Sequence, residues 1–167
     1  MIEYNNIGYI EVTQNDFEDV VQIYTNEQVR KYLGGIIPEE HTHAKFLDTL
    51  NRNDKTDSFY WVVRLKKSNQ FIGLVSLDKH IDGGTELSYE FLPSYWGQGL
   101  ASEVTIRVIK YAFAELGISK LLAETQIANL GSCKLLERVG MKMERTIQRF
   151  GAEQGIFLLQ NDGVSLS

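Results

Sequence analysis

Cysteine is nearly absent, and that narrows the classes open to the chain. The single Cys133 among 167 residues cannot form an internal disulfide, so a reducing, cytoplasmic compartment is expected. Proline is almost as scarce, with only Pro38 and Pro93 present. The chain has no proline-rich linker, repeat or low-complexity stretch, and residues 1–167 read as one domain. No apolar run approaches the roughly 18 residues of a membrane-spanning helix, and Met1-Ile2-Glu3 opens no basic, apolar leader, so no membrane partner is expected. Excess positive charge is also missing: 17 Lys and Arg against 22 Asp and Glu give a net charge of −5. An extended nucleic-acid face needs clustered cations. The most compact basic group, Arg64, Lys66 and Lys67, reads as a solvated hairpin end. His41 and His43 are two apart and do not share a helix face, and His80 is distant, so no metal site is expected.

What is present centres on residues 86–112. Leu87, Tyr89 and Phe91 alternate with Glu86, Ser88 and Glu90 as in a half-buried strand, and Pro93 ends the ladder because it has no N–H. Val104, Val108 and Ala112, with Ile106, Ile109 and Phe113, then recur at helical spacing. Gly97, Gly99 and Ala101 fall at the junction, where minimal side chains and unpaired N–H groups make an anion site, or simply a tight turn. The stretch ends Gly-Leu-Ala-Ser rather than Gly-Lys-Ser/Thr, which excludes a P-loop. Ser102 stands where a dinucleotide fingerprint needs its third glycine.

In chain order, residues 7–13 read as a strand, and Asn15-Asp16 cap a helix striped by Phe17, Val20, Val21 and Tyr24. A short helix is expected over 28–33, ended by Gly34-Gly35, and a third helix starts at Pro38 and runs to Leu50. Residues 59–65, 71–77 and 87–91 form an antiparallel meander. The helix to Leu116 is closed by Gly117. Residues 121–127 then form a strand parallel to that ending at Leu92, because a helix separates the two. Asn129 caps a helix over 130–139, and a last hairpin turns through Gly151 and Gly155.

Tyr95-Trp96-Gly97-Gln98-Gly99-Leu100-Ala101-Ser102-Glu103 resembles the acyl-coenzyme A pyrophosphate loop of the GNAT N-acetyltransferase superfamily, whose general form is Arg/Gln-x-x-Gly-x-Gly/Ala. Aligned on Gly99 and Ala101, the first position is Trp96. The Tyr-Trp-Gly form is that of the branch holding ribosomal-protein N-terminal alanine and serine acetyltransferases. Asn129-Leu130-Gly131-Ser132 through Glu137, Gly140 and Met141 is similar to that branch's Asn-x-x-Ser-x-x-x-x-Glu-x-x-Gly-Phe. The resemblance implies a mixed α/β fold: a mostly antiparallel sheet with a splayed parallel central pair, flanked by helices. It implies acetyl-CoA as co-substrate, held by Trp96, Gly97, Gln98, Gly99, Leu100, Ala101, Ser102, Asn129 and Ser132, with the N–H of Phe91 or Leu92 polarising the thioester. Ser132 is the implied acid for the departing thiolate; many members use a tyrosine, and none lies on this helix. Tyr32 and Leu33 are implied on the acceptor side.

Glu86 and Glu90 are the candidate bases, or two carboxylates on a solvated strand face. Cys133 reads as a small buried hydrophobe rather than a nucleophile. The acceptor is an amine, either a protein N-terminal α-amine or a small amine such as a polyamine or aminoglycoside. A coenzyme-binding module without catalysis is the rival from another class. A homodimer is the assembly that general frequencies favour.

Overall fold

The computed structural model describes residues 7–163. The elements, in order, are β1 (Ile7–Glu11), α1 (Phe17–Tyr24), α2 (Glu27–Arg30), α3 (Glu39–Asn53), β2 (Phe59–Leu65), β3 (Phe71–Lys79), β4 (Thr85–Phe91), α4 (Leu100–Ala114), β5 (Lys120–Gln126), α5 (Leu130–Arg138), β6 (Lys142–Arg149) and β7 (Ala152–Gln160). All the strands join one sheet of order β1-β2-β3-β4-β5-β7-β6. Every adjacent pair is antiparallel except β4 and β5, the two strands joined through α4.

Alternation along the strands divides the core between the two faces of the sheet. On one face Val104, Val108, Ile109 and Ala112 of α4, with Leu136 of α5, pack on Trp61, Val63, Val75, Leu77, Leu87, Phe91 and Leu121. On the other, Val20, Ile23 and Tyr24 of α1 and Phe46 of α3 cover Val62, Phe71 and Leu74. β3 is covered on both sides, so Phe71 to Leu77 are all buried. Burial of such side chains contributes roughly 1.5–3 kcal/mol each, which fixes the sheet between its helices.

Several local expectations are corrected. Asp16 stands at the N-cap of the first helix as expected but makes no side-chain cap bond to it; instead Thr13 and Asp16 form a reciprocal capping box around the 3-10 turn over Gln14–Asp16 that leads into the helix. The second helix is one turn, Glu27–Arg30, because the Asn26 side chain accepts from the Val29 N–H and starts it early. Tyr32 and Leu33 therefore lie in the following turn. Arg64 is not a solvated hairpin end; it bonds Asp16 at 2.9 Å and Asp19 at 2.5 Å. The final hairpin turns at Phe150-Gly151, both with positive φ, between the paired Arg149 and Ala152. Gly155 instead lies inside β7 opposite Thr125, where an added Cβ would stand 2.8 Å from Ile127.

Candidate active site

The site begins where the parallel ladder stops. β4 and β5 pair only through Thr85–Leu121 and Glu86–Leu122, and beyond them the strands part. The Leu92 N–H donates to the Ile72 carbonyl at 2.9 Å. By the alternation of an antiparallel ladder, Glu86, Ser88 and Glu90 also bond β3, while Tyr89 and Phe91 direct their backbone groups toward β5. The Phe91 carbonyl accepts from the Trp96 indole N–H at 2.7 Å, leaving the Phe91 N–H facing the gap. This corrects the alternative offered for Leu92, whose N–H is already bound to β3.

The gap opens over a backbone cradle. Gly97 and Gly99 have φ of 71° and 78°, and a Cβ added to either would meet no atom within 4 Å. Gly99 is the N-cap of α4 with no side-chain cap, so the N–H groups of Leu100, Ala101 and Ser102 begin the helix without intrahelical partners. Arg138 reaches over from α5, donating from Nη1 to Ser102 Oγ at 3.2 Å, and Lys134 lines the same cavity. Open glycines, a helix N-terminus and two cations suit a pyrophosphate. The side chains of Gln98 and Leu100 turn away, the first to the Ser94 carbonyl at 2.9 Å and the second into the core, so those positions offer backbone.

On the far wall Asn129 Oδ1 accepts from the Ser132 N–H at 3.2 Å, which starts α5 and fixes Ser132 at the cavity. Ser132 Oγ lies 2.9 Å from the Tyr89 hydroxyl. A tyrosine hydroxyl thus reaches Ser132 from β4 rather than from α5. Burial pushes the Tyr89 hydroxyl up to about 12, so it keeps its proton at neutral pH. Burial likewise raises the Cys133 thiol, whose sulfur faces the Gln126 carbonyl at 3.8 Å. A thiol kept protonated is a poor nucleophile.

A cavity of about 1050 Å³ passes through the parted strands to the α1–α2 side, where Tyr24, Val29, Tyr32, Leu33, Glu90 and Glu124 line it. The Tyr32 carbonyl accepts from Gln126 Nε2 at 3.1 Å. Glu90 is paired with Arg30 at 3.0 Å, and Arg30 also donates to the carbonyls of Leu33 and Gly35. That network ties the turn after α2 to β4. Glu86 is off the cavity wall. Its carboxyl is pushed up to about 7, chiefly by burial, with the nearby Glu124 charge adding and a hydrogen bond from the Glu124 backbone N–H opposing. Sequence reasoning passed over Tyr89, Arg138, Lys134 and Glu124 as site residues, because their partners lie on other elements.

A split parallel pair standing over a backbone anion cradle defines an acyl-coenzyme-binding transferase. The acetyltransferase (GNAT) domain family model matches residues 7–142, and the chain belongs to that family. The uncharacterized N-acetyltransferase YoaA of Bacillus subtilis is 25% identical over 161 residues, covering 93% of this chain and 90% of that protein. Among solved structures, a GNAT-family acetyltransferase from Bacillus anthracis superposes with a TM-score of 0.78 at 23% identity, over 93% of this chain and 95% of that one. A spermidine N-acetyltransferase from Vibrio cholerae, solved with CoA and spermine, gives 0.79 at 18% identity over the same shares. The fold is the mixed α/β GNAT fold, and the co-substrate is acetyl-CoA. Among the described residues no helix is long and apolar enough to cross a membrane.

Proposed function

We propose that the protein transfers an acetyl group from acetyl-CoA directly to a primary amine while both are bound, with the pyrophosphate over Gly97 to Ser102 and the acceptor entering from the Tyr32–Leu33 side. The observation that carries this reading is the parted β4–β5 pair, which joins the cradle to the acceptor side in one cavity. Arg138 and Lys134 supply positive charge to the pyrophosphate. The Phe91 N–H polarises the acyl carbonyl as charge develops on its oxygen. Ser132 protonates the departing sulfur and is resupplied by Tyr89 at 2.9 Å. Arg30 and Glu90 hold the acceptor turn in place.

A protein N-terminal α-amine is the acceptor placed first. With reference pKa values of about 7.7–8.0 for an α-amine and about 10.4 for lysine, neutralisation at pH 7 costs roughly 1 kcal/mol against roughly 4.6 kcal/mol. A second reading, a small cationic amine such as a polyamine or aminoglycoside, is favoured by the carboxylates of Glu90 and Glu124 on the acceptor wall. The test is calorimetric titration with acetyl-CoA, followed by thiol release over N-terminal peptides, polyamines and aminoglycosides. Turnover with peptides alone supports the first acceptor, and turnover with polyamines or aminoglycosides alone supports the second. Binding without release across the panel would make this a coenzyme-binding module.

A further inference from the structure

α3 turns Thr42, Phe46 and Thr49 inward at three- and four-residue steps, and Lys45, one turn from both Thr42 and Thr49, stands at the edge of that buried face. It lines the end of the cavity bordered by α1 and α2, with its ammonium 5.6 Å from the centre of the Tyr24 ring. That ring is a fixed shelf. Tyr24 is buried, and because the Thr49 hydroxyl donates to the Lys45 carbonyl at 3.2 Å, the Tyr24 hydroxyl is the donor in its 3.3 Å contact with Thr49. Lys31, the C-cap of α2, lines the same end and holds its ammonium 5.2 Å from the centre of the Tyr32 ring. Both cations thus rest on aromatic faces at one mouth of the cavity. Among the described residues neither lysine makes an ion pair, and Asp48, next along α3, is spent on Arg52 at 2.9 Å. The carboxylates of the same wall are committed as well. Glu90 pairs with Arg30 at 3.0 Å, and Glu124 lies 2.6 Å from His80 Nε2 and pairs with Arg149 at 3.3 Å. The two lysines therefore leave this end with a surplus of positive charge, in a chain whose net charge is −5. A cleft of one sign in a protein of the other draws in ligands of opposite charge. Tyr24 also feels the charges of Glu90 and Arg30, so the surplus borders the strand beside the gap.

Resting on the acetyl-transfer reading above, we propose that the acceptor is an anionic amine: besides the nitrogen that takes the acetyl group it carries a carboxylate, and the ammonium groups of Lys45 and Lys31 hold that carboxylate at the mouth of the cavity. A polyamine or aminoglycoside brings only further cations to this end, where both acids already have partners. Two sources supply the required chemistry: a peptide with an acidic side chain beside its N-terminus, and a free amino acid. With either, the lysines select and orient the acceptor, and the transfer step is left to the groups at the parted strands.

The test is thiol release with matched amines that differ only in charge: Ala-Glu-Ala-amide against Ala-Gln-Ala-amide, and glutamate against glutamine, with spermidine and kanamycin as the cationic amines. In at least one pair the acidic member is expected to exceed its neutral partner by about 5–30-fold in kcat/KM, the gain that two exposed ion pairs supply. The pair that shows the gain identifies the source. The preference should shrink as salt is raised from about 0.05 to about 0.5 M. With Lys31→Gln and Lys45→Gln combined, the preference should vanish through a rise in KM for the acidic amine, while kcat, the acetyl-CoA Kd and turnover of the neutral partner stay within about twofold. Damage to the fold would not give that split. Lys45→Glu should weaken the acidic amine further, and Lys110→Gln, an equal loss of charge on α4, should keep the preference. Equal turnover of acidic and neutral partners in both pairs, turnover of the cationic amines alone, or a preference that survives the combined variant overturns the proposal and leaves the acetyl-transfer reading standing. A natural protein that releases no thiol with any of these amines overturns both.

Discussion

Replacing Gly99 separates ligand binding from stability within one residue. Gly99 caps α4 at φ +78°, in the left-handed region, and a Cβ there meets nothing within 4 Å. In Gly99→Ala the added methyl has room in the free protein, so the cost is backbone strain alone, about 1–2 kcal/mol. For a chain of this length about 1 kcal/mol moves Tm by roughly 2–4 °C, so a drop of about 2–8 °C is expected. A larger side chain adds little more to that drop, because the space is open. It does occupy the room above the cradle, and losing the helix-terminus term of about 0.3–2 kcal/mol together with the backbone hydrogen bonds should weaken acetyl-CoA binding by at least tenfold. Gly99→Leu, which is unbranched at Cβ, is therefore expected to match Gly99→Ala in Tm within a few degrees and to lose far more affinity. Thermal melts and calorimetry on the two variants check this. Equal affinity in Gly99→Leu and the natural protein would refute the assignment of the cradle.

Three further outcomes follow from the geometry. Ser132→Ala and Tyr89→Phe should each lower kcat by about 10–100-fold with little change in coenzyme Kd, read by thiol release beside titration, and the double variant should lose little more, because the hydroxyls act in series. Arg138→Gln should weaken acetyl-CoA binding about tenfold and flatten its dependence on salt, measured by titration at two ionic strengths. Glu86 makes stability depend on pH. Its carboxyl stands at about 7 in the folded protein against 4.5 ordinarily, so the folded state holds that proton more tightly. The resulting stability is present below about 4.5 and is lost as pH rises to 7, a change of up to about 3 kcal/mol. Urea unfolding at pH 5 and pH 8 should show a smaller difference in Glu86→Gln, and an equal difference would sink the assignment.

Residues whose function is local were legible in the sequence. The alternation of Leu87, Tyr89 and Phe91, the stop at Pro93, the glycines at 97 and 99 and the Asn129 cap each act within a few positions, and the structure places them as read. What escaped depends on distance along the chain. Tyr89 is a strand residue by pattern, yet its hydroxyl meets Ser132, 43 positions later. Arg64 looked solvated because Asp16 and Asp19 lie 48 and 45 positions earlier. Glu124 sits in a run read as largely apolar, and its partners His80 and Arg149 lie 44 positions before and 25 after. Gly155 passed for a turn residue because a glycine needed for close packing inside a strand looks the same in sequence as one needed for a turn.

The central claim is direct transfer from acetyl-CoA to an amine across the parted strands. Its most direct test is the initial rate of thiol release over a matrix of acetyl-CoA and amine concentrations, with Cys133→Ala run alongside. Amine-dependent release, with double-reciprocal lines that intersect and a Cys133→Ala rate near that of the natural protein, is the expected result. Parallel lines abolished by Cys133→Ala, or release that ignores the amine, would contradict it.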